Sequence, residues 1–229
     1  EVGEKNSTVE DLEAFMGGFN SKIRKGRVGM SKVSIQTGTS HGGVLLSDGT
    51  MAKVKLDFET LRTLSKEARE KYGMAGAVQH GASTLPSDAF GKFPEVGTAE
   101  VHLATEFQNM VYESPHFPKD LKSRIYDWLN KNASGERKPG QTDEQFIYGA
   151  RKKALGPFKK EIMGLPQELR DTITKDIEAR FEFLFEKLNV KNTRGAVLKH
   201  TVLKRVIHRK PRARGPRSRN QARAAPWRR

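Results

Sequence analysis

Several features are missing from this sequence of 229 residues, and each absence excludes a class of protein. There is no cysteine, which excludes a disulfide scaffold and any thiolate metal site, so histidines and carboxylates would have to bind a metal. The zero count also fits the reducing conditions of the cytoplasm. No stretch approaches the roughly eighteen apolar residues of a transmembrane helix, so we expect no membrane association.

The start of the chain also lacks familiar features. The opening Glu1-Val2-Gly3-Glu4 has neither the basic region nor the apolar region of a secretory signal. Because the first residue is Glu1 rather than Met, we expect the sequence to begin partway through a longer protein.

Acidic residues are absent from the last part of the chain. Residues 199–229 contain twelve Lys or Arg and no Asp or Glu, so they carry most of the net charge of +15 of the whole chain. The preceding residues are close to neutral, with 30 basic and 27 acidic groups. We therefore expect a globular region over residues 1–190 and a basic, disordered tail over residues 191–229, because such a tail cannot bury enough apolar surface to fold.

Short apolar runs alternate with helical patterns in the first half of the chain. Strand candidates lie at residues 32–36, 75–79 and 99–104, and an amphipathic pattern at residues 57–72 separates the first two. Helical patterns fill most of residues 119–190. Alternation of strands and helices is typical of an α/β fold with parallel strands.

Two of the predicted strands end in His-Gly, at His41-Gly42 and His80-Gly81. In an α/β barrel, the carboxyl ends of parallel strands meet at one face, where the active site lies. Imidazoles that converge there are suitable zinc ligands, and the neighbouring glycines allow backbone N–H groups to approach a phosphate closely. The alternative is that each histidine only forms a local hydrogen bond at the end of its strand.

The motifs around these histidines resemble a known family. The segment VSIQTGTSHG at residues 33–42 is followed by LDF at residues 56–58 and by QHGAS at residues 79–83. In this order and at this spacing they resemble the metal-dependent class II fructose-bisphosphate aldolases, which have a GTSHG loop, a KLDF helix start and an HGAS loop. The segment AEVHLAT at residues 99–105 is at the position of the family's NIDTD-like strand. The specific resemblance covers residues 1–113.

The resemblance implies a lyase with a (β/α)₈ TIM barrel that cleaves or condenses a ketose bisphosphate, such as fructose 1,6-bisphosphate, with Zn²⁺ as cofactor. It also implies a cytoplasmic, homo-oligomeric enzyme of carbohydrate metabolism (glycolysis). By position it assigns zinc ligands and contacts to the sugar phosphate. The implied zinc ligands are His41, His80 and Glu1, and the implied substrate or phosphate contacts are Gly42, Gly81, Ser83, His102 and Thr105.

The sequence departs from the family pattern in the third motif and before the first. The family's Asn and first Asp are replaced by His102 and Ala104, and its second Asp by Glu106, whereas Thr105 is retained. His102 is then a polar contact, an additional ligand or a packed strand residue. The family's first metal-binding His and the neighbouring catalytic Asp have no counterpart, so no acid or base is assigned. We expect a truncated member with only the later barrel strands and the C-terminal helices, and with weak zinc binding.

Two other functions remain open. The chain is a non-catalytic sugar-phosphate-binding relative if it has kept the loops and lost the lyase chemistry. It binds nucleic acid without sequence specificity if the basic tail contacts the phosphate backbone. The abrupt change of composition after Leu198 also resembles translation of an unintended reading frame.

Overall fold

The computed structural model describes residues 5–39, 44–52, 56–202 and 204–206. The chain divides into two units, Glu1–Lys191 and Asn192–Arg229, and each is described by itself. Glu1, His41 and Gly42 lie outside the described residues.

A small parallel sheet lies in the first unit. Its strands are β1 (Val33–Ser34), β2 (Ala77–Gln79) and β3 (Glu100–Val101), in that spatial order, and both pairs are parallel. The ladder continues past the end of β3, because the backbone N–H of His102 donates to the carbonyl of Gln79 at 2.8 Å. The residues that follow β2 and β3 therefore emerge side by side at one edge of the sheet.

Helices account for most of the remaining described chain. Short 3₁₀ turns lie between several elements. Ala82–Thr84 begins three residues after the end of β2, and Arg151–Leu155 directly follows the helix Asp143–Ala150. The helices are α1 (Val9–Lys22), α2 (Phe58–Tyr72), α3 (Lys92–Glu95), α4 (Thr105–Tyr112), α5 (Lys119–Asn132), α6 (Asp143–Ala150), α7 (Lys159–Met163), α8 (Gln167–Lys187) and, in the second unit, α9 (Arg194–His200).

Helix α2 shows how the sequence sets the bounds of an element. Asp57 caps its N-terminus by accepting hydrogen bonds from the backbone N–H groups of Glu59 and Thr60, both at 3.0 Å. Gly73 ends it in the left-handed conformation, with a φ of 64°. Ser65 lies on its buried face and accepts a hydrogen bond from the backbone N–H of Ala77 at 3.0 Å, which fixes the helix to β2.

Two separate apolar clusters stabilise the first unit. We call the first the sheet cluster; it packs α1, α2 and the 3₁₀ region after β2 around the sheet, and it includes Leu12, Ile35, Leu61, Leu64, Phe90, Phe93 and Leu184. We call the second the helix cluster; it lies among α5, α6 and the adjoining turns, and it includes Tyr112, Phe117, Leu121, Ile125, Leu129, Phe146 and Ile173.

The prediction of a (β/α)₈ barrel is wrong. The described residues are mainly helical and have one three-stranded parallel sheet, whose strands are two or three residues long. The physical reason is that the described residues in the first half of the chain have only three apolar runs that form strands. From residue 119 onwards the apolar positions recur at helical spacing, and they are buried in the helix cluster instead of in a wall of further strands.

The second unit contains α9 and the described residues on either side of it. Every residue of α9 is exposed to some degree, and its apolar residues Val197 and Leu198 are only about half-buried, at 47% and 50% exposure. The predicted disordered tail spans residues 191–229, and residues 194–200 of it form α9. Residues 207–229 lie outside the described residues, so for them the disorder stays a prediction.

None of the helices in the described ranges combines the length and the apolar content that crossing a bilayer requires.

Candidate functional site

The two strand-end histidines of the described chain lie together. His80 follows β2 and His102 follows β3, and their ring centroids are 4.2 Å apart with the planes inclined by 37°. His80 is half-buried, whereas His102 is exposed. The parallel register of β2 and β3 produces this proximity, since it places the residues after the two strands at the same sheet edge.

A buried network of neutral side chains fixes the backbone of His80. The Thr37 hydroxyl donates to Gln79 Oε1 at 2.7 Å, and Gln79 Nε2 donates to Thr39 Oγ1 at 3.0 Å. The Thr39 hydroxyl in turn donates to the carbonyl of His80 at 2.9 Å. All three side chains are buried, so each hydrogen bond satisfies groups that have little access to water. The network joins the segment after β1 to the end of β2.

This network bears directly on the predicted zinc site. Thr39 precedes His41 by two residues, and it contacts the backbone of His80. His41 itself lies outside the described residues, so the joint placement of the two imidazoles stays a prediction.

Asp57 fixes the same segment from the other side. Its backbone N–H donates to the carbonyl of Thr37 at 3.0 Å, and its side chain caps α2. Hydrogen bonds from the backbone N–H and the hydroxyl of Thr60 lower the pKa of Asp57 below its ordinary value. The LDF motif thus stabilises the segment that leads to His41.

A cleft of about 470 Å³ opens at the ends of β2 and β3. Its lining includes all of the predicted contacts that fall on described residues, namely His80, Gly81, Ser83, His102 and Thr105. Gly81 has a φ of 69°, a left-handed conformation that glycine adopts without strain, and it turns the chain into the 3₁₀ turn. The carboxyl ends of β2 and β3 therefore bring these five residues together around one cleft.

Ser83 and the start of α4 provide donors in this cleft. The Ser83 hydroxyl oxygen accepts from the backbone N–H of Ala104 at 3.1 Å, so its own proton remains available for an acceptor. Thr105 is the first residue of α4, and the first N–H groups of a helix have no partner within the helix. Hydroxyls together with a helix N-terminus are suited to bind an anion such as phosphate.

Glu100 holds the ring of His102. Both residues are on one face of β3 and its extension, and a carboxylate oxygen of Glu100 is in hydrogen-bond contact with His102 Nε2. The other carboxylate oxygen forms an ion pair with Lys32. Glu100 therefore orients the ring and places a partly exposed negative charge at the edge of the cleft.

Glu106, which replaces the family's second Asp, has a different role from a substrate contact. Its carboxylate forms an ion pair with Arg180 of α8 at 2.6 Å, and both side chains are largely buried. The guanidinium of Arg180 also lies over the rings of Phe90 and Phe183. Glu106 therefore anchors α4 against α8.

The described residues contain no group of three or more His, Asp or Glu side chains placed to hold a metal ion. Two of the three implied zinc ligands, His41 and Glu1, lie outside the described part of the chain. The implied phosphate contact Gly42 lies outside it as well. The predicted zinc site is therefore represented in the structure by His80 alone.

Three residues of this region were missed by reasoning from sequence. Gln79 and Thr39 form the network beneath His80, and Glu100 orients His102. Gln79 offered a signal, because a polar residue inside an apolar strand run needs a buried partner. Thr39 and Glu100 offered none, because their roles depend on the register between strands.

The chain matches no known protein-family model and no curated protein.

Proposed function

We propose that this protein is a zinc-dependent lyase that binds a ketose bisphosphate and cleaves or forms its aldol bond. One observation carries the proposal: His80, Gly81, Ser83, His102 and Thr105 surround one cleft at the carboxyl ends of two parallel strands. The resemblance of the surrounding motifs to class II aldolases supports the same chemistry.

The donor types fit zinc. His80 lines the cleft, and imidazole is a common zinc ligand. The Thr39 contact brings the segment that leads to His41 against the backbone of His80. We propose that His80 and His41 hold the ion, with Glu1 as a further ligand. When bound, zinc supplies a Lewis acid that stabilises negative charge on the oxygens of the substrate.

The remaining cleft residues bind and orient the sugar phosphate. The hydroxyls of Ser83 and Thr105 donate to a phosphate group, and the N-terminus of α4 favours its negative charge. His102 replaces an amide of the family, and we assign it a contact with the sugar hydroxyls. Because its ring packs on His80, it also restricts the space next to the proposed metal ligand.

Zinc-dependent binding of fructose 1,6-bisphosphate tests this function. Calorimetry with zinc should detect binding, whereas chelator or fructose without phosphates should abolish it. Ser83→Ala should weaken binding roughly ten- to hundredfold, since a hydrogen bond to a charged group contributes roughly 1.5–3 kcal/mol. Ser134→Ala is the matched control, because this serine lies in another 3₁₀ turn away from the cleft. Binding that is equal with and without zinc would contradict the proposal.

Release of triose phosphate then separates lyase from binding protein. A zinc-dependent release supports the enzyme, and binding without any release supports the non-catalytic sugar-phosphate-binding alternative. We place the protein in the cytoplasm, because a chain without cysteine suits a reducing compartment. A homo-oligomer follows from the family resemblance.

The basic tail favours nucleic-acid binding as a second candidate function. Residues 199–229 carry twelve cationic side chains and no acid, and Lys199, Lys204 and Arg205 are exposed where the structure describes them. Cations bound to a phosphate backbone release counterions, so affinity for any DNA duplex should fall steeply with salt, with a slope of about −0.9 per phosphate contacted. Binding that is insensitive to salt would contradict this candidate.

A further inference from the structure

A second cavity lies in the first unit, away from the cleft at the sheet edge. It has a volume of about 630 Å³ and lies between the segment 44–52 and the helices α4, α5 and α6. That volume is within the range of small-molecule sites, roughly 300–1,000 Å³. None of its described lining residues belongs to the cleft of His80 and His102.

The segment that covers this cavity is fixed in place. Leu45 and Met51 form an antiparallel bridge, and Asp48 accepts from the backbone N–H of Thr50 at 2.9 Å within the turn. Gln145 of α6 donates through Nε2 to the carbonyl of Leu45 at 2.7 Å. The wall of the cavity formed by residues 44–52 is therefore held in place by hydrogen bonds.

The body of the cavity is apolar and aromatic. These side chains come from the covering segment, from α5 and from α6, and they are Leu45, Met51, Tyr126, Ile147 and Tyr148. Such a lining favours a ligand with a flat, apolar body, because aromatic rings pack on one another and on aliphatic side chains.

The two cationic side chains of the lining are both paired with the same carboxylate. Arg151 is buried and forms an ion pair with Glu113, and it also donates to Asn109. Lys122 pairs with the same Glu113 carboxylate at 3.0 Å. Burial opposes ionisation of Glu113, but the hydrogen bonds from Arg151 and Lys122 outweigh it and lower the pKa. An anionic ligand would have to compete with this carboxylate for both cations.

One carboxylate of the lining differs from the others. Asp143 is paired with Arg137 at 2.6 Å, whereas Glu144 has no ion pair or hydrogen bond with any described residue. Glu144 lies beside Gly49, close enough that a Cβ at that glycine would be 3.4 Å from its Oε2. A cationic group on a ligand would therefore find an open partner in Glu144.

We propose that this cavity binds a small monoamine with an aromatic or other apolar body, whose ammonium group pairs with Glu144. The apolar body would lie against Tyr126, Tyr148 and Met51. This inference does not depend on zinc or on the proposed lyase activity.

Three indole compounds of different charge test the proposal, with tryptamine as the cation, 3-methylindole as the neutral form and indole-3-acetate as the anion. Protein-observed NMR titration of the full chain, with shifts followed around the cavity, gives the three affinities. We expect tryptamine to bind with a Kd of about 1 mM or tighter, as its size allows. The order should be tryptamine, 3-methylindole and then indole-3-acetate.

Two substitutions locate the binding. Glu144→Gln should weaken tryptamine binding about two- to fivefold, the range of an exposed ion pair, and leave 3-methylindole unchanged. Glu10→Gln is the matched control, because Glu10 is also an exposed residue at the second position of its helix. Met51→Trp fills the cavity and should abolish binding of all three compounds.

The proposal is overturned by any of three results. The first is the absence of shifts around the cavity with tryptamine. The second is binding of indole-3-acetate at least as tight as that of tryptamine at the position that Met51→Trp blocks. The third is equal affinity of Glu144→Gln and Glu10→Gln for tryptamine.

Discussion

The sheet cluster and the helix cluster satisfy their buried polar groups in different ways. Beneath the cleft, Thr37, Thr39 and Gln79 form a chain of neutral hydrogen bonds. In the helix cluster, the buried guanidinium of Arg151 depends on an ion pair with Glu113, whose side chain is 57% exposed. Neutral hydrogen bonds keep their geometry over a wide range of salt concentration and pH. A partly exposed ion pair is weakened by high salt and by a pH low enough to protonate its carboxylate. The hydrogen bonds that fix the backbone of His80 should therefore be less sensitive to salt and pH than the ion pair of Arg151.

Among the changes that test this comparison, truncations in the two apolar clusters should have the largest effect on stability. Leu61→Ala in the sheet cluster and Ile125→Ala in the helix cluster remove fully buried side chains, since both are 0% exposed. Each should lower the free energy of unfolding by about 2–5 kcal/mol, measured by urea denaturation. Leu155→Ala, at a position that is 46% exposed, is the control and should change it by no more than about 0.5 kcal/mol.

The same two truncations show whether the clusters unfold together. If they form one cooperative unit, fluorescence of Trp128 in α5 and circular dichroism should give coincident transitions in both variants. Separate transitions in Ile125→Ala would show that the sheet cluster, with its cleft, is stable without the helix cluster.

The next effect concerns the network beneath the cleft. Gln79→Leu keeps the approximate size of the side chain but removes the acceptor of the Thr37 hydroxyl and the group that donates to Thr39 Oγ1. We expect a loss of about 1–3 kcal/mol of unfolding free energy. Thr37→Val should cost less in the Gln79→Leu background than in the wild type, because the two side chains act through one hydrogen bond. Equal costs in both backgrounds would show that the network does not couple them.

A smaller effect, dependent on pH, should follow from Asp57. Its carboxylate has a lowered pKa in the folded protein, so it stabilises the fold above the unfolded pKa of about 4, and this contribution is lost as the pH falls through the lower folded value. Asp57→Ala should therefore cost about 1 kcal/mol at pH 7 and less below pH ~4. Asp176→Ala, on the exposed face of α8, is the control. A cost that does not change with pH would contradict this role.

The smallest effect on stability should come from the tail. Deletion of residues 199–229 removes twelve cations and a segment without apolar periodicity. The melting temperature should stay unchanged, while affinity for a random DNA duplex should fall. A large loss of melting temperature would show that the tail packs on the folded region.

Sequence patterns predicted the local elements better than the architecture. The strand candidates at residues 75–79 and 99–104 contain β2 and β3, and the helical pattern at residues 57–72 contains α2. The meeting of His80 with His102 was not predicted, because the sequence indicated His41 as the neighbour of His80. The barrel expectation failed because it came from a resemblance, while the number and length of strands depend on how much apolar sequence is available. The pairing of Glu106 with Arg180 could not be predicted, because α4 and α8 are distant in sequence and no local pattern reports their contact.

Zinc titration tests the central claim, that His80 and His41 bind one metal ion, most directly. Calorimetry gives the zinc affinity of the wild type, His80→Ala, His41→Ala and the control His116→Ala. The control replaces an exposed histidine that is distant in sequence from both proposed ligands. The account predicts that wild type and His116→Ala bind zinc equally, and that His41→Ala and His80→Ala each lose most of this affinity. Equal zinc binding by all four proteins would contradict the shared site.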